Sequence, residues 1–175
     1  MKRFAVLAAA LLSAVALPAV AQDAAATAVV IDQSGATLGT LTLMDVDGGI
    51  HVSGELTGVP NGDHGFHIHE TGVCDAAGQF ESAGAHFNPA GKQHGTENPE
   101  GPHAGDLMNV TADDNGNATV DLHNMGATIA AGDASIKDAD GAAIVLHADP
   151  DDYKTDPSGN SGDRIACGVI EFAAP

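Results

Sequence analysis

Positively charged residues are scarce in this sequence. Its 175 residues carry 24 Asp and Glu side chains but only six Lys and Arg, which gives a formal net charge of −18. After the first 21 residues the formal charge is −20, and the positive side chains that remain are Lys92, Lys137, Lys154 and Arg164. Because a chain of this charge repels phosphates, we expect neither nucleic acid nor an anionic membrane surface as a partner.

Long apolar runs are also missing, apart from one at the start. Lys2 and Arg3 precede the apolar segment "FAVLAAALLSAVAL", and the small-residue sequence Ala19-Val20-Ala21 follows it. The run is shorter than the roughly 20 residues of a membrane-spanning helix, and its order is that of a secretory signal peptide. We therefore predict a signal peptide at 1–21 and a single exported domain at 22–175.

Cysteine is limited to Cys74 and Cys167, and no CxxC pair is present. An exported protein with an even number of cysteines is typically disulfide-bonded. A bridge between these two residues would close a loop of more than 90 residues, which is worth about 4–5 kcal/mol in the chain-entropy model. A redox-active pair is the less favoured alternative, since it lacks the usual spacing.

Helical periodicity is absent, whereas alternation of apolar and polar residues recurs. The segments "TLGTLTLM", "GIHVSGEL" and "NATVDLH" alternate with period two, which is typical of half-buried antiparallel strands. Turn sequences such as "DGG" and "DDNGN" separate them. We predict an all-β fold, an eight-stranded antiparallel Greek-key barrel or sandwich, with two long functional loops at 71–104 and 148–163.

The stretch "HGFHIHE" at 64–70 places three of the nine histidines close together. Residues i and i+2 of a strand project from one face, so His67 and His69 can present two imidazoles to one metal ion. His64 shares the inward parity of Phe66, and we interpret it as a core histidine bonded to the backbone. His51 and His123 fall at outward strand positions and are predicted to be surface residues.

The first long loop adds a second set of metal-binding side chains. His86, His94, His103 and Asp106 follow the pattern H-x7-H-x8-H-x2-D, and three nitrogens with one carboxylate suit tetrahedral zinc. With His67, His69 and His147 this makes seven candidate ligands. Two four-coordinate sites would need one bridging imidazole, but one zinc site with several unbound histidines fits the count equally well.

Five segments in order give the chain a family resemblance: "HGFHIHE", "GAHFNPAGKQHG", "PHAGDLMNVTADDNG", "VLHADPDD" and "GNSGDRIACGVI". Together they resemble the copper/zinc superoxide dismutases of the bacterial exported type, from about residue 27 to residue 172. The resemblance implies a periplasmic location. It leaves monomer and homodimer both open.

The resemblance also implies a role for each site residue, with one copper and one zinc per subunit. Copper would be bound by His67, His69, His86 and His147. Zinc would be bound by His86, His94, His103 and Asp106, so that His86 bridges the two ions. Asp151 would accept hydrogen bonds from His67 and His94, and Cys74 would pair with Cys167. Arg164 would dock the superoxide anion, and His86 would carry a proton during turnover.

The implied activity is an antioxidant oxidoreductase reaction. Superoxide and protons would become oxygen and hydrogen peroxide while copper cycles between Cu(II) and Cu(I), and zinc would hold the geometry. A non-catalytic copper and zinc store or carrier on the same scaffold is the alternative. A zinc hydrolase is disfavoured because the zinc set is closed by four protein ligands.

Overall fold

Alternating apolar and polar residues fold into strands over most of the region that the computed structural model describes, residues 26–173. The predicted signal peptide lies outside these residues. The strands are β1 (Ala26–Asp32), β2 (Thr37–Val46), β3 (Gly49–Thr57), β4 (Gly62–His64), β5 (Phe66–His69), β6 (Val110–Ala112), β7 (Asn117–Asn124), β8 (Ala143–His147) and β9 (Arg164–Phe172). Two single 3-10 turns, Ala76–Gly78 and Glu81–Ala83, lie in the first long loop. No helix in the described part is long and apolar enough to cross a membrane.

All strand pairs are antiparallel, in the order β4-β6-β7-β3-β2-β1-β9-β8-β5. The two edge strands, β4 and β5, are consecutive in the chain and separated only by Gly65. One continuous segment therefore pairs with both ends of the sheet and closes it into a barrel, which confirms the predicted all-β class. The sequence predicted eight strands, whereas the described residues contain nine, because the segment 62–69 is interrupted at Gly65 and forms both β4 and β5.

Gly65 is where the closing segment changes partners. Its N–H donates to the Asp149 carbonyl at 2.9 Å, and its own carbonyl accepts from the His147 N–H at 2.8 Å. A Cβ at this position would lie 2.6 Å from the Cβ of Ser161, closer than packed atoms approach. The second long loop is thereby held against the start of β5.

The barrel interior is filled by the inward residues of the alternating strands. Leu41, Leu43, Val52, Phe66 and Ile144 are fully buried members of this core. Burying each such side chain contributes about 1.5–3 kcal/mol, and this packing fixes the strands that carry the metal-binding residues.

Strand β8 is buried on both faces, which explains its uninterrupted apolar sequence. Ile144 faces the core, whereas Val145 belongs to a second, smaller cluster with Phe80 and Ala83. The segment 71–85 covers this outer side. The Cys74–Cys167 disulfide ties that segment to β9, which confirms the predicted pairing.

Candidate metal centre

The centre is built on the outer side of β5 and β8, beneath the two long loops. His67 and His69 alternate with the core residues Phe66 and Ile68, and His147 ends β8. The first loop docks on β5 by backbone hydrogen bonds, and isolated bridges join His67 to Asp106 and His69 to His86. The loops therefore bury histidines that the strands alone would leave on the surface.

Four buried side-chain nitrogens in the described residues lack any hydrogen-bond partner, and all four belong to one cluster. They are Nδ1 of His67 and Nε2 of His69, His86 and His147. The four residues offer ligand atoms that lie within 4.8 Å of one another. Because an unpaired buried polar atom costs about 1–3 kcal/mol, four in one place indicate a binding site for a cation.

The other nitrogen of each of these rings contacts an oxygen that can only accept. His69 Nδ1 donates to the Gly84 carbonyl at 3.0 Å, and His147 Nδ1 donates to the Gly162 carbonyl at 3.2 Å. His67 Nε2 donates to Asp151 and His86 Nδ1 to Asp106, at 2.7 and 2.9 Å. A neutral imidazole with one N–H so engaged has its lone pair on the other nitrogen. Each ring therefore directs a lone pair into the cluster.

Burial keeps these four imidazoles neutral. Desolvation is the main cause, and it lowers the pKa of His86 to about 4 and that of His147 to about 3. The same cause lowers the pKa of His67 and, more strongly, of His69. Neutral imidazole is the form that binds a metal ion.

A second cluster joins His86 to His94, His103 and Asp106. Oδ1 of Asp106 lies 2.9 Å from Nδ1 of His86, 3.1 Å from Nδ1 of His94 and 3.3 Å from Nδ1 of His103. Nδ1 of His103 and Nδ1 of His86 are 3.5 Å apart. Ligands bound to one tetrahedral zinc ion at about 2.0–2.1 Å are separated by roughly 3.3 Å, so this donor set fits zinc.

Asp151 connects the two clusters. Its Oδ2 accepts from His67 Nε2 at 2.7 Å, and its Oδ1 accepts from His94 Nε2 at 3.0 Å. The Asn109 side chain in turn holds the Asp151 backbone, accepting from its N–H at 2.8 Å and donating to its carbonyl at 2.9 Å. Gly159 is required here because a Cβ would overlap the Asp151 carboxylate.

His94 lies between two carboxylates, Asp106 at Nδ1 and Asp151 at Nε2. Burial alone would lower its pKa, but the hydrogen bonds and charges of the two carboxylates outweigh burial and raise the pKa to about 9. At both carboxyls burial would raise the pKa, but hydrogen bonds from histidines outweigh it. His86 and His94 hold the pKa of Asp106 well below the usual range, and His67 and His94 do the same for Asp151. Without a bound cation, Nδ1 of His94 therefore carries a proton at the position from which it would bind zinc.

Arg164 stands beside the first cluster with its guanidinium fixed by backbone oxygens. Nη1 donates to the Phe80 carbonyl and Nη2 to the Gly84 carbonyl, both at 2.8 Å. The Gly84 carbonyl thus holds both Arg164 and His69. Glu81 forms an ion pair with the guanidinium, with Oε2 3.8 Å from Nη2, but its own side chain is largely exposed to solvent.

A pocket of about 280 Å³ opens the first cluster to solvent. His69, His86, His147 and Arg164 line it, together with Gln79, Glu81 and Ser158. His94, His103 and Asp106, the other members of the second cluster, do not line this pocket. A small anion can therefore reach the first cluster and the guanidinium together.

The structure brings together the seven candidate metal ligands, Asp151 and Arg164. His64 is buried as expected, with Nδ1 2.8 Å from the His147 carbonyl and Nε2 2.7 Å from the Pro60 carbonyl. Lys154 lies outside the site and forms an ion pair with Glu97 at 2.6 Å. Sequence reasoning missed the carbonyls of Gly84 and Gly162, since backbone acceptors leave no signature in residue type.

Comparisons with known proteins agree with this geometry. Residues 37–170 match the family model described as copper/zinc superoxide dismutase. A Cu-Zn superoxide dismutase of Aquifex aeolicus is 46% identical over 151 residues, covering 85% of this chain and 88% of the relative. One from Caulobacter vibrioides is 43% identical over 149 residues, covering 83% of this chain and 85% of the relative.

A crystal structure of a double mutant of a SOD-like protein from Bacillus subtilis superposes with a TM-score of 0.79. It is 37% identical, and the match covers 84% of this chain and 97% of that chain. The match in sequence, barrel topology and paired histidine clusters leads to one conclusion: the chain belongs to the copper/zinc superoxide dismutase family, a family of oxidoreductases that use both metals.

Proposed function

We propose that this protein converts superoxide and protons to oxygen and hydrogen peroxide at the cluster of His67, His69, His86 and His147. The observation that carries the proposal is the convergence of four unpartnered lone pairs beside a fixed guanidinium in an open pocket. The family relationship supports the same reaction and the same substrate.

We assign copper to this four-imidazole cluster and zinc to His86, His94, His103 and Asp106. Three nitrogens with one carboxylate and no open position suit a structural zinc ion. When bound, copper supplies the one-electron chemistry, because zinc has no redox chemistry. A metal ion accessible from the pocket beside Arg164 and a metal ion held by four protein ligands would fit this division of labour.

The chain's own groups bind the substrate and hold the ligands. Arg164 binds the anion, since a guanidinium is always charged and offers paired donors. Asp151 orients His67 and His94, which fixes one ligand of each metal with a single carboxylate. His86 contributes one nitrogen to each cluster, and we assign its Nε2 as the atom that takes up and returns a proton beside the substrate.

The direct test is superoxide removal by protein loaded with one copper and one zinc ion. We expect copper-dependent activity that disappears when copper alone is withdrawn. A protein that only stores or carries the metals would bind both ions and leave superoxide untouched, and that result would refute the proposal.

Two histidine variants test the ligand assignment separately from activity. His86→Ala should reduce the content of both metals, because this residue belongs to both clusters. His147→Ala should reduce copper and leave zinc close to one equivalent. Unchanged copper in the second variant would contradict the assignment.

We also propose that residues 1–21 direct export to the periplasm and are removed after Ala21. The order of charged, apolar and small residues supports this, and so does the disulfide, which persists in oxidising compartments. Mass spectrometry of protein from a periplasmic extract should give a chain that begins at Gln22.

A further inference from the structure

Two histidines outside the metal centre lie together on the outer surface of the barrel. His51 of β3 is the register partner of His123 of β7. Their rings stack with centroids 4.5 Å apart and an interplanar angle of 15°. The side chain of His51 is 20% exposed, and His123 is exposed. They are the only histidines that take no part in the barrel core or the two clusters of the centre.

A carboxylate orients one of these rings. Asp121, two residues before His123 on the same face of β7, lies with Oδ1 2.7 Å from Nε2 of His51. Because the carboxylate accepts, Nε2 carries the proton and the lone pair lies on Nδ1. The bond repeats the pairing of Asp151 with His67 in the centre, and metal-binding histidines usually donate their second nitrogen to such a group.

We propose that His51 and His123, oriented by Asp121, form a surface site for one divalent transition-metal ion of the class that imidazole prefers, such as zinc. Directly opposite residues of an antiparallel pair have Cβ atoms about 4.5–5.5 Å apart. In the described residues no hydrogen bond fixes the His123 ring, and its contact with His51 is the stacking itself, so it can turn toward the free nitrogen of His51. The strongly negative chain attracts cations to this surface.

The alternative is a stacked pair with one ion pair and no affinity for metal. Equilibrium dialysis separates the two. The protein is first saturated with its one copper and one zinc ion and freed of excess metal, and then dialysed against increasing zinc chloride in a weakly coordinating buffer. Elemental analysis counts the bound zinc.

We expect one further equivalent of zinc in the wild-type protein, saturating at that value. His51→Gln and His123→Gln should each lose it, while the copper of the centre stays at one equivalent. Asp121→Asn should weaken it by about 10-fold or more, as orienting carboxylates typically do. Circular dichroism of each variant checks that the barrel is intact.

Glu55→Gln provides the matched control, because Glu55 is also an exposed, outward acid of this sheet and its loss changes the charge equally. It should leave the further equivalent unchanged. The proposal is overturned if the wild type binds no further zinc, if the double variant His51→Gln/His123→Gln retains it, or if Glu55→Gln weakens it as much as Asp121→Asn does.

Discussion

Arg164 is the register partner of His147 across β8 and β9. The pairing follows an irregularity between Leu146 and His147, where Leu146 pairs with Ala166 and Ile165 is passed over. Such a bulge re-aims the side chain next to it. The irregular step therefore brings a guanidinium, and not the apolar Ile165, opposite the histidine at the pocket.

Replacing Arg164 should slow the reaction without removing the metals. Arg164→Gln keeps a donor but loses the fixed charge, and electrostatic steering of an anion is worth about 10-fold or more in rate. We expect a decrease of about that size in the second-order rate constant, measured by pulse radiolysis, with unchanged metal content. Lys137→Gln removes a cation that does not line the pocket and serves as the control. Equal loss in both variants would attribute the effect to overall charge.

Asp151 should tune both metals because it orients one ligand of each. Asp151→Asn leaves one acceptor oxygen for two donors, His67 and His94. Loss of such an orienting carboxylate typically weakens metal affinity by about 10–100-fold. Competition with a chelator should therefore show weaker binding of copper and of zinc. A loss confined to one metal would contradict the bridging role.

Zinc binding to the metal-free protein should release a proton at neutral pH. His94 has its folded pKa raised from 6.5 to about 9 by its two carboxylates, against the opposing effect of burial. Between these values the folded ring is protonated, and zinc must displace that proton. Calorimetry in buffers of different ionisation enthalpy should give about one proton at pH 7.5 and progressively less above pH 9. No release at pH 7.5 would contradict the interpretation.

The same pKa values set how the metal-free protein responds to acid. His86 and His147 have folded pKa values of about 4 and 3, so the unfolded chain takes up protons on them first, below 6.5. The contribution of the two neutral histidines to the free energy of unfolding is therefore present above pH 6.5 and is lost as the pH falls toward 4. The raised pKa of His94 acts in the opposite direction, between 9 and 6.5. Urea unfolding should therefore show steadily decreasing stability from pH 6.5 to pH 4.

The disulfide should matter for the site as well as for stability. The double variant Cys74→Ala/Cys167→Ala removes a cross-link between residues that are 93 positions apart in the sequence. In the chain-entropy model this lowers the free energy of unfolding by about 4–5 kcal/mol. It also frees the segment that contains Gly84, whose carbonyl holds both His69 and Arg164. We expect a lower denaturation midpoint and lower activity per bound copper. Unchanged activity per copper would show that the segment is held by packing alone.

Much of this structure was accessible from the sequence. Alternation in 37–44, 49–56 and 117–123 predicted strands that the structure extends by only one or two residues. The pair His67 and His69 followed from strand spacing, because i, i+2 parity is a local property, whereas the full ligand sets followed from the family resemblance. The contact of His64 with the backbone followed from the same parity.

Other features depend on contacts that residue type does not encode. The change of partners at Gly65 and the irregular step before His147 are set by how distant strands meet. Which nitrogen of His69 faces the cluster depends on a carbonyl 15 residues away. The sequence placed His51 on the surface but could not show that His123 and Asp121 both lie against it.

Anomalous diffraction from crystals of the fully loaded protein, recorded at the copper and zinc absorption edges, tests the central claim most directly. The account predicts one copper peak bound by Nδ1 of His67 and Nε2 of His69, His86 and His147. It predicts one zinc peak bound by Asp106 and by Nδ1 of His86, His94 and His103. Two peaks that share no histidine, or a single peak with the other cluster still hydrogen-bonded within itself, would contradict it.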